Sequence, residues 1–266
     1  VGSSTIANWS RTPNLVWFES NRLSGIQASL GYSTNPVRSS TTTEVENDVG
    51  SSVKQRAGSG TWAKLNYQNG PVDLTYSRYS AKSDYIGSAA YATNTGSSGT
   101  GLNAQNDQLS STLLAKYQVT PQLRAALGYT QNTATAVAAN AALANTAFAY
   151  TPVYGVGDKI KNKATHAALS YDMGKNNFGI AYAKRGNTSY GATEAANSGV
   201  NQVSLAYTYN FSKNTAAGLM YTKQTAQNNA TTPGLFYQGN NAYGGQLTGM
   251  RGETQSITSI ALRTNF

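Results

Sequence analysis

The chain has 266 residues, with 26 glycines, 18 tyrosines, one histidine and no cysteine. Only 12% of its residues are charged, about half the usual share in a soluble domain, and no run approaches the ~20 apolar residues of a membrane helix. The net charge of +9 comes from singly spread lysines and arginines, with no basic cluster and no aromatic–basic RNA-binding motif, so nucleic acid is not an expected partner.

Disordered chains are poor in aromatics, whereas the tyrosines here recur in short segments with an apolar residue at every second position. That period marks strands. Val16 and Phe18 belong to the first. A short turn over Asn21 to Gly25 leads to Ile26, Ala28, Leu30 and Tyr32. Ala63, Leu65 and Tyr67 form the third, and Asn69-Gly70-Pro71 turns into Val72, Leu74 and Tyr76. Leu113, Ala115, Tyr117 and Val119 follow, and Thr120-Pro121-Gln122 turns into Leu123, Ala125, Leu127 and Tyr129. Ala167, Leu169, Tyr171 and Met173 are joined through Gly174 to Asn177 to Phe178, Ile180 and Tyr182. Val203, Leu205, Tyr207, Tyr209 and Phe211 are joined through Ser212 to Thr215 to Ala217, Leu219 and Tyr221. The eleventh strand ends the chain, with Ser256, Thr258, Ile260, Leu262, Thr264 and Phe266 on one face.

Long and short connections alternate. The long ones run over Thr34–Gly58, Ala81–Asn106, Asn132–Asn162, Gly186–Gly199 and Gln224–Gly252. The Ala-rich stretch Ala134–Ala149 has no amphipathic stripe and reads as part of its loop. Loops of this length are uncommon in compact soluble domains. Tyr67, Tyr117, Tyr171, Tyr209, Phe211 and Phe266 fall near the short turns, and Tyr32, Tyr76, Tyr129, Tyr182 and Tyr221 toward the long loops. Two aromatic girdles suit two membrane interfaces. A sheet with one greasy and one polar face needs a second layer in a soluble protein, and no segment offers one. Closure on itself, apolar outside and wet inside, resolves this. The expected fold class is all-β, a transmembrane antiparallel β-barrel, with residues 1–266 as one domain.

Parity opposite to the greasy face marks the interior. Lys64, Lys116, Arg124, Arg185 and Arg263 fall there, and Arg11 shares parity with Leu15, Trp17 and Glu19. The inward acids are Glu19, Asp73 and Asp172. Six bases against three acids leave a positive wall, which concentrates anions in a water-filled bore. The plainer reading is that the bases pair with these carboxylates and stiffen the barrel. Arg78, Lys184 and Lys223 have outward parity near the long-loop edge. A base there is tolerable, and lipopolysaccharide phosphates would attract it; snorkelling or a bulge are the alternatives.

No cofactor, metal or catalytic set stands out. His166 points inward, six residues from Asp172, too far along a strand for a dyad. Glu44, Glu46 and Asp48 form a small acidic loop cluster that reads as solvated. Gly155-Val156-Gly157 lacks the strand–turn–helix setting of a phosphate loop.

Three segments carry a resemblance. Arg11-Thr12-Pro13-Asn14-Leu15-Val16-Trp17-Phe18-Glu19-Ser20 resembles the Arg-x-Asn-Asn-Ser-(apolar)-x-Tyr-Asp-Ser strand of Gram-negative general porins of the neisserial and burkholderial kind, with Pro13, Leu15 and Trp17 as departures. Trp62-Ala63-Lys64-Leu65-Asn66-Tyr67 resembles their strand ending in Asn-Tyr, and Ala261-Leu262-Arg263-Thr264-Asn265-Phe266 resembles their Gly-Leu-Arg-His-x-Phe ending. The resemblance implies sixteen strands in the complete protein, a homotrimer and a place in the outer membrane. It makes these eleven strands the last eleven, with five strands and three long loops outside this chain. The expected function is passive diffusion of small hydrophilic solutes and ions, with an anion preference. The alternative is a substrate-specific channel of the same build for a sugar or carboxylate. An adhesin or secretion barrel and an outer-membrane hydrolase are weaker readings, and no enzyme activity is expected.

Overall fold

The computed structural model describes residues 15–33, 59–82, 107–135, 157–228 and 252–264, all of whose regular elements are strands. They are β1 (Leu15–Glu19), β2 (Ile26–Ser33), β3 (Ser59–Asn69), β4 (Val72–Lys82), β5 (Asp107–Gln118), β6 (Leu123–Thr135), β7 (Lys159–Met173), β8 (Asn176–Arg185), β9 (Thr188–Tyr190), β10 (Thr193–Ala195), β11 (Val200–Asn210), β12 (Thr215–Ala226) and β13 (Thr254–Thr264).

They form one antiparallel sheet in the order β1-β2-β3-β4-β5-β6-β7-β8-β11-β12-β13. These eleven coincide with the eleven segments expected from alternation. Among the described residues β1 and β13 are the sheet's two edges and do not pair with each other. Tight turns gather at one edge. Asn69 pairs with Val72 and Met173 with Asn176, which leaves two-residue loops. Gly70 and Gly174 take φ of 52° and 61° as first central residues, the position where a primed hairpin turn favours glycine.

The sequence-based loop over Gly186–Gly199 departs from expectation. Its residues fold into β9 and β10, and β9 pairs with Ile160 and Lys161 at the top of β7, beyond the reach of β8. Each piece has three residues, too short to show a period. The strands also run further into the other long connections than alternation suggested: β6 reaches Thr135 and β7 begins at Lys159. The rest of the long connections, the Ala-rich stretch beyond Thr135, the acidic triplet at 44, 46 and 48, Gly155, Val156, Arg11 and Phe266 lie outside the described residues.

The two faces differ as the alternation requires. Leu30, Leu127, Ile180 and Leu205 share one face and are 46–64% exposed. Ser29, Gly31, Thr130 and Thr222 lie on the other face and are buried. Among the described residues no second layer covers either face; small polar residues become buried where a curved sheet crowds its own concave side. The convex face carries an apolar band across the whole strand path, far beyond the few hundred Å² found on soluble monomers. Aromatics frame it. Phe178 and Tyr207 pack at 5.1 Å, and Tyr209 and Phe211 at 5.0 Å, by the short turns. Tyr32, Tyr76, Tyr129, Tyr182 and Tyr221 are exposed toward the other edge.

Candidate functional site

The concave wall carries the polar chemistry, and strand register decides what meets there. Near the short turns, Asp73 stands beside Lys116 across the β4–β5 pair. Lys116 Nζ donates to Asp73 Oδ2 at 3.1 Å. Asn66 Nδ2 donates to Asp73 Oδ1 at 2.7 Å, and Arg22 Nη2 donates to Asn66 Oδ1 at 2.5 Å. Further round, Arg124 Nη2 donates to Asp172 Oδ2 at 2.7 Å, and Asn177 Nδ2 donates to Asp172 Oδ1. Glu19 accepts from Gln27 Nε2 and Ser29 Oγ, each at 3.1 Å.

The predicted interior residues therefore separate into groups. Lys116 and Arg124 are paired with Asp73 and Asp172. Such water-facing pairs contribute about 0–1 kcal/mol, but they cancel charge locally. Lys64 and Arg263 have no ion pair among the described residues. They lie on the concave face by register, opposite Ser77 and Ala216 respectively. Arg185 is on the same face but only 4% exposed. Expected to line the bore, it is instead covered by the β9–β10 fold-back, where its Nη2 donates to Ser198 O at 3.2 Å. Ser198 Oγ bonds both Thr188 N and Ala195 O at 2.7 Å, closing that small unit. His166 also lies on the concave face, opposite Gly128, while Asp172 is engaged by Arg124 and Asn177. Among the described residues no three His, Cys, Asp or Glu side chains gather in a way that would hold a metal.

Two features escaped the sequence reading. Arg22 sits in a turn, where strand parity does not apply, yet it reaches Asn66. Trp17, Trp62 and Tyr79 form an aromatic row on the concave face; parity alone gives Trp17 an inward position and does not show which rings come side by side.

On the convex face, Arg78, Lys184 and Lys223 are exposed toward the long-connection edge, as their parity required. Lys159, Lys161 and Lys163 of β7 join them on that face and are exposed too. The expected loop boundary at Asn162 had hidden Lys159 and Lys161. Glu194 lies beside Ser189, opposite Lys161, with Asn187 Nδ2 donating to its Oε1 at 3.0 Å.

No protein-family model matches the chain, and no curated protein matches it in sequence. Solved structures do match in fold. An anion-selective porin from Comamonas acidovorans superposes with a TM-score of 0.63 at 20% identity, over 96% of this chain and 60% of that one. A loop L8 deletion mutant of OmpT, an outer-membrane protein of Vibrio cholerae, gives 0.54 at 11% identity, over 94% of this chain and 62% of that one. A refined porin structure gives 0.50 at 10% identity, over 78% of this chain and 55% of that one. The chain thus has the antiparallel sheet of outer-membrane porin barrels and spans less than two thirds of each of these structures.

Proposed function

We propose that this chain is wall from a water-filled diffusion channel in the outer membrane of a Gram-negative bacterium, passing small hydrophilic solutes and ions with an anion preference. The observation that carries the reading is the two-faced sheet. Its convex side suits hydrocarbon across its whole width, and its concave side offers hydroxyls, amides and charges to water. A sheet edge left open in lipid strands its backbone groups. The eleven path strands leave β1 and β13 running the same way, so joining them directly would require a parallel pair. The working barrel therefore has further strands against these edges, and the sixteen-strand, single-domain, trimeric assembly of the resembled porins is the form we propose. No covalent step, cofactor or energy source is needed, because passage follows the solute gradient. Selectivity comes from width and wall charge. Lys64 and Arg263 tip the balance toward anions, with Lys116 and Arg124 largely offset by their carboxylates.

The exposed bases Arg78, Lys159, Lys161, Lys163, Lys184 and Lys223 stand where the outer-leaflet headgroups would lie, and we assign lipopolysaccharide phosphates as their partners. Replacing Lys159, Lys161, Lys163 and Lys184 with glutamine should lower the lipopolysaccharide retained through purification; unchanged retention removes the assignment.

The decisive test of the channel is electrical. The protein in planar lipid bilayers should give ohmic steps, and a salt gradient should displace the reversal potential toward the chloride equilibrium value. Bilayers that remain silent would overturn the channel; a cation-selective potential would overturn the wall-charge reading alone.

A further inference from the structure

Register lines up four positions on the concave face: Trp17 pairs with Gly31, Gly31 with Trp62, and Trp62 with Tyr79. With strands ~4.8 Å apart, the row is roughly 14 Å long. Gly31 is the gap that lets the Trp17 indole lie on the wall. A Cβ at Gly31 would stand 2.7 Å from Trp17 Cε3 and 3.0 Å from Cζ3, so the Trp17 ring covers that glycine. Trp17 lies on the edge strand β1, where every residue is exposed, and its ring is turned to the concave face. Trp62 rests against Tyr79 with ring centroids 4.8 Å apart, and Tyr79 is itself only 8% exposed. The bore thus meets two indoles backed by glycine and a buried phenol.

The next row toward the short turns is different. It reads Glu19, Ser29, Lys64 and Ser77, again in register on the same face. Glu19 spends part of its acceptor capacity on Gln27 and Ser29, and a carboxylate has about four acceptor sites. Lys64 offers three donors. The two opposite charges flank Ser29 and do not form an ion pair.

We propose that Trp17 and Trp62 are a stacking platform for neutral pyranose rings, with Glu19 and Lys64 as the hydrogen-bonding rim. A pyranose has a face of C–H groups and an edge of hydroxyls, which matches an apolar row beside a polar one. An indole in contact with water gains most from a partner that covers its face and still hydrates its own edge. Charge selects within that class. An anionic ligand would meet Glu19 and a cationic one Lys64, whereas a neutral polyol uses both. The proposal rests on the channel reading and adds a subsite to it.

The test is ion current through the protein in planar bilayers, with maltohexaose as probe. Wild type should show saturable block. Trp17→Ala and Trp62→Ala should each raise the half-blocking concentration tenfold or more and change open conductance less than twofold. Trp62→Phe should retain part of the block. An open channel that maltohexaose leaves unblocked would overturn the platform and leave the channel standing; absence of any conductance would overturn both. Wild-type tryptophan fluorescence in detergent provides a readout that needs no variant. Maltohexaose should shift or quench it, and an unchanged spectrum would count against the platform even if the variants fail to fold.

Discussion

Lys116 and Asp73 meet at 3.1 Å across β4 and β5, and Asn66 holds the second oxygen of the same carboxylate. A lysine on the wall of a bore thus faces water with its charge already partly answered. Removing the acid exposes the base. Asp73→Asn should move the reversal potential further toward chloride, with a permeability ratio changed on the order of twofold. The fold should lose less than ~1 kcal/mol, because water-facing pairs contribute little. A potential that shifts toward the cation would reverse the sign we assign to this wall.

Lys64 and Arg263 make the complementary case. Neither has an ion pair among the described residues, so neither charge is offset by a direct partner. Lys64→Gln with Arg263→Gln should reduce anion preference by removing two positive charges that have no ion pair, and Lys116→Gln with Arg124→Gln should reduce it at least as much, because it leaves Asp73 and Asp172 as bare negative charges on the wall. Raising the salt to about 1 M, where the screening length is ~3 Å, should weaken both effects. If Lys116→Gln with Arg124→Gln left the anion preference unchanged at low salt, the two ion pairs would not face the bore.

How much of this was legible in the residues depends on which interaction set each feature. The path strands were, because hydrocarbon outside and water inside impose alternation: Val72, Leu74 and Tyr76 face out while Asp73 and Thr75 face in. The top of β7 was not. Lys159, Lys161 and Lys163 occupy the outward positions where apolar residues were sought, so the period was present with the wrong chemistry. The ion pairs were not legible either. Asp73 finds Lys116 only through the register of β4 on β5, and a long connection separates those strands. Hairpins with tight turns set their own register, which is why the turn at Asn69-Gly70-Pro71 already places Val72 at the start of the next strand. Trp62 had its face correctly implied by Ala63 and Leu65, but parity says nothing about which ring it would touch.

Arg185 tests the fold-back rather than the bore. It is 4% exposed and donates to Ser198 O, so it ties the end of β8 to the segment carrying β9 and β10. Arg185→Ala should loosen residues 186–199 and cost about 1.5–3 kcal/mol, the range for a hydrogen bond from a charged group. Limited proteolysis should then cut within 186–199 in the variant and spare the wild type. Ion selectivity should stay within error of wild type. A large loss of anion preference in Arg185→Ala would mean that this guanidinium faces the channel after all.

The convex face offers the sharpest separation of membrane barrel from soluble sheet. Leu127 is 64% exposed near the middle of β6, and its neighbour Ala126 points to the concave side opposite Lys116. In lipid, Leu127→Lys puts an ammonium into hydrocarbon and should cost about 2–4 kcal/mol near the midplane. Ala126→Lys places the same group in the wet interior and should cost under ~1 kcal/mol, the scale of a surface change. In a water-soluble sheet the order would invert, since a lysine at a solvent-exposed position is harmless and one on a crowded concave face is not. Folding yield into phospholipid vesicles, followed by urea titration of the two variants, measures the difference directly. Equal stabilities, or a less stable Ala126→Lys, would remove the lipid from the convex face and the aqueous bore with it.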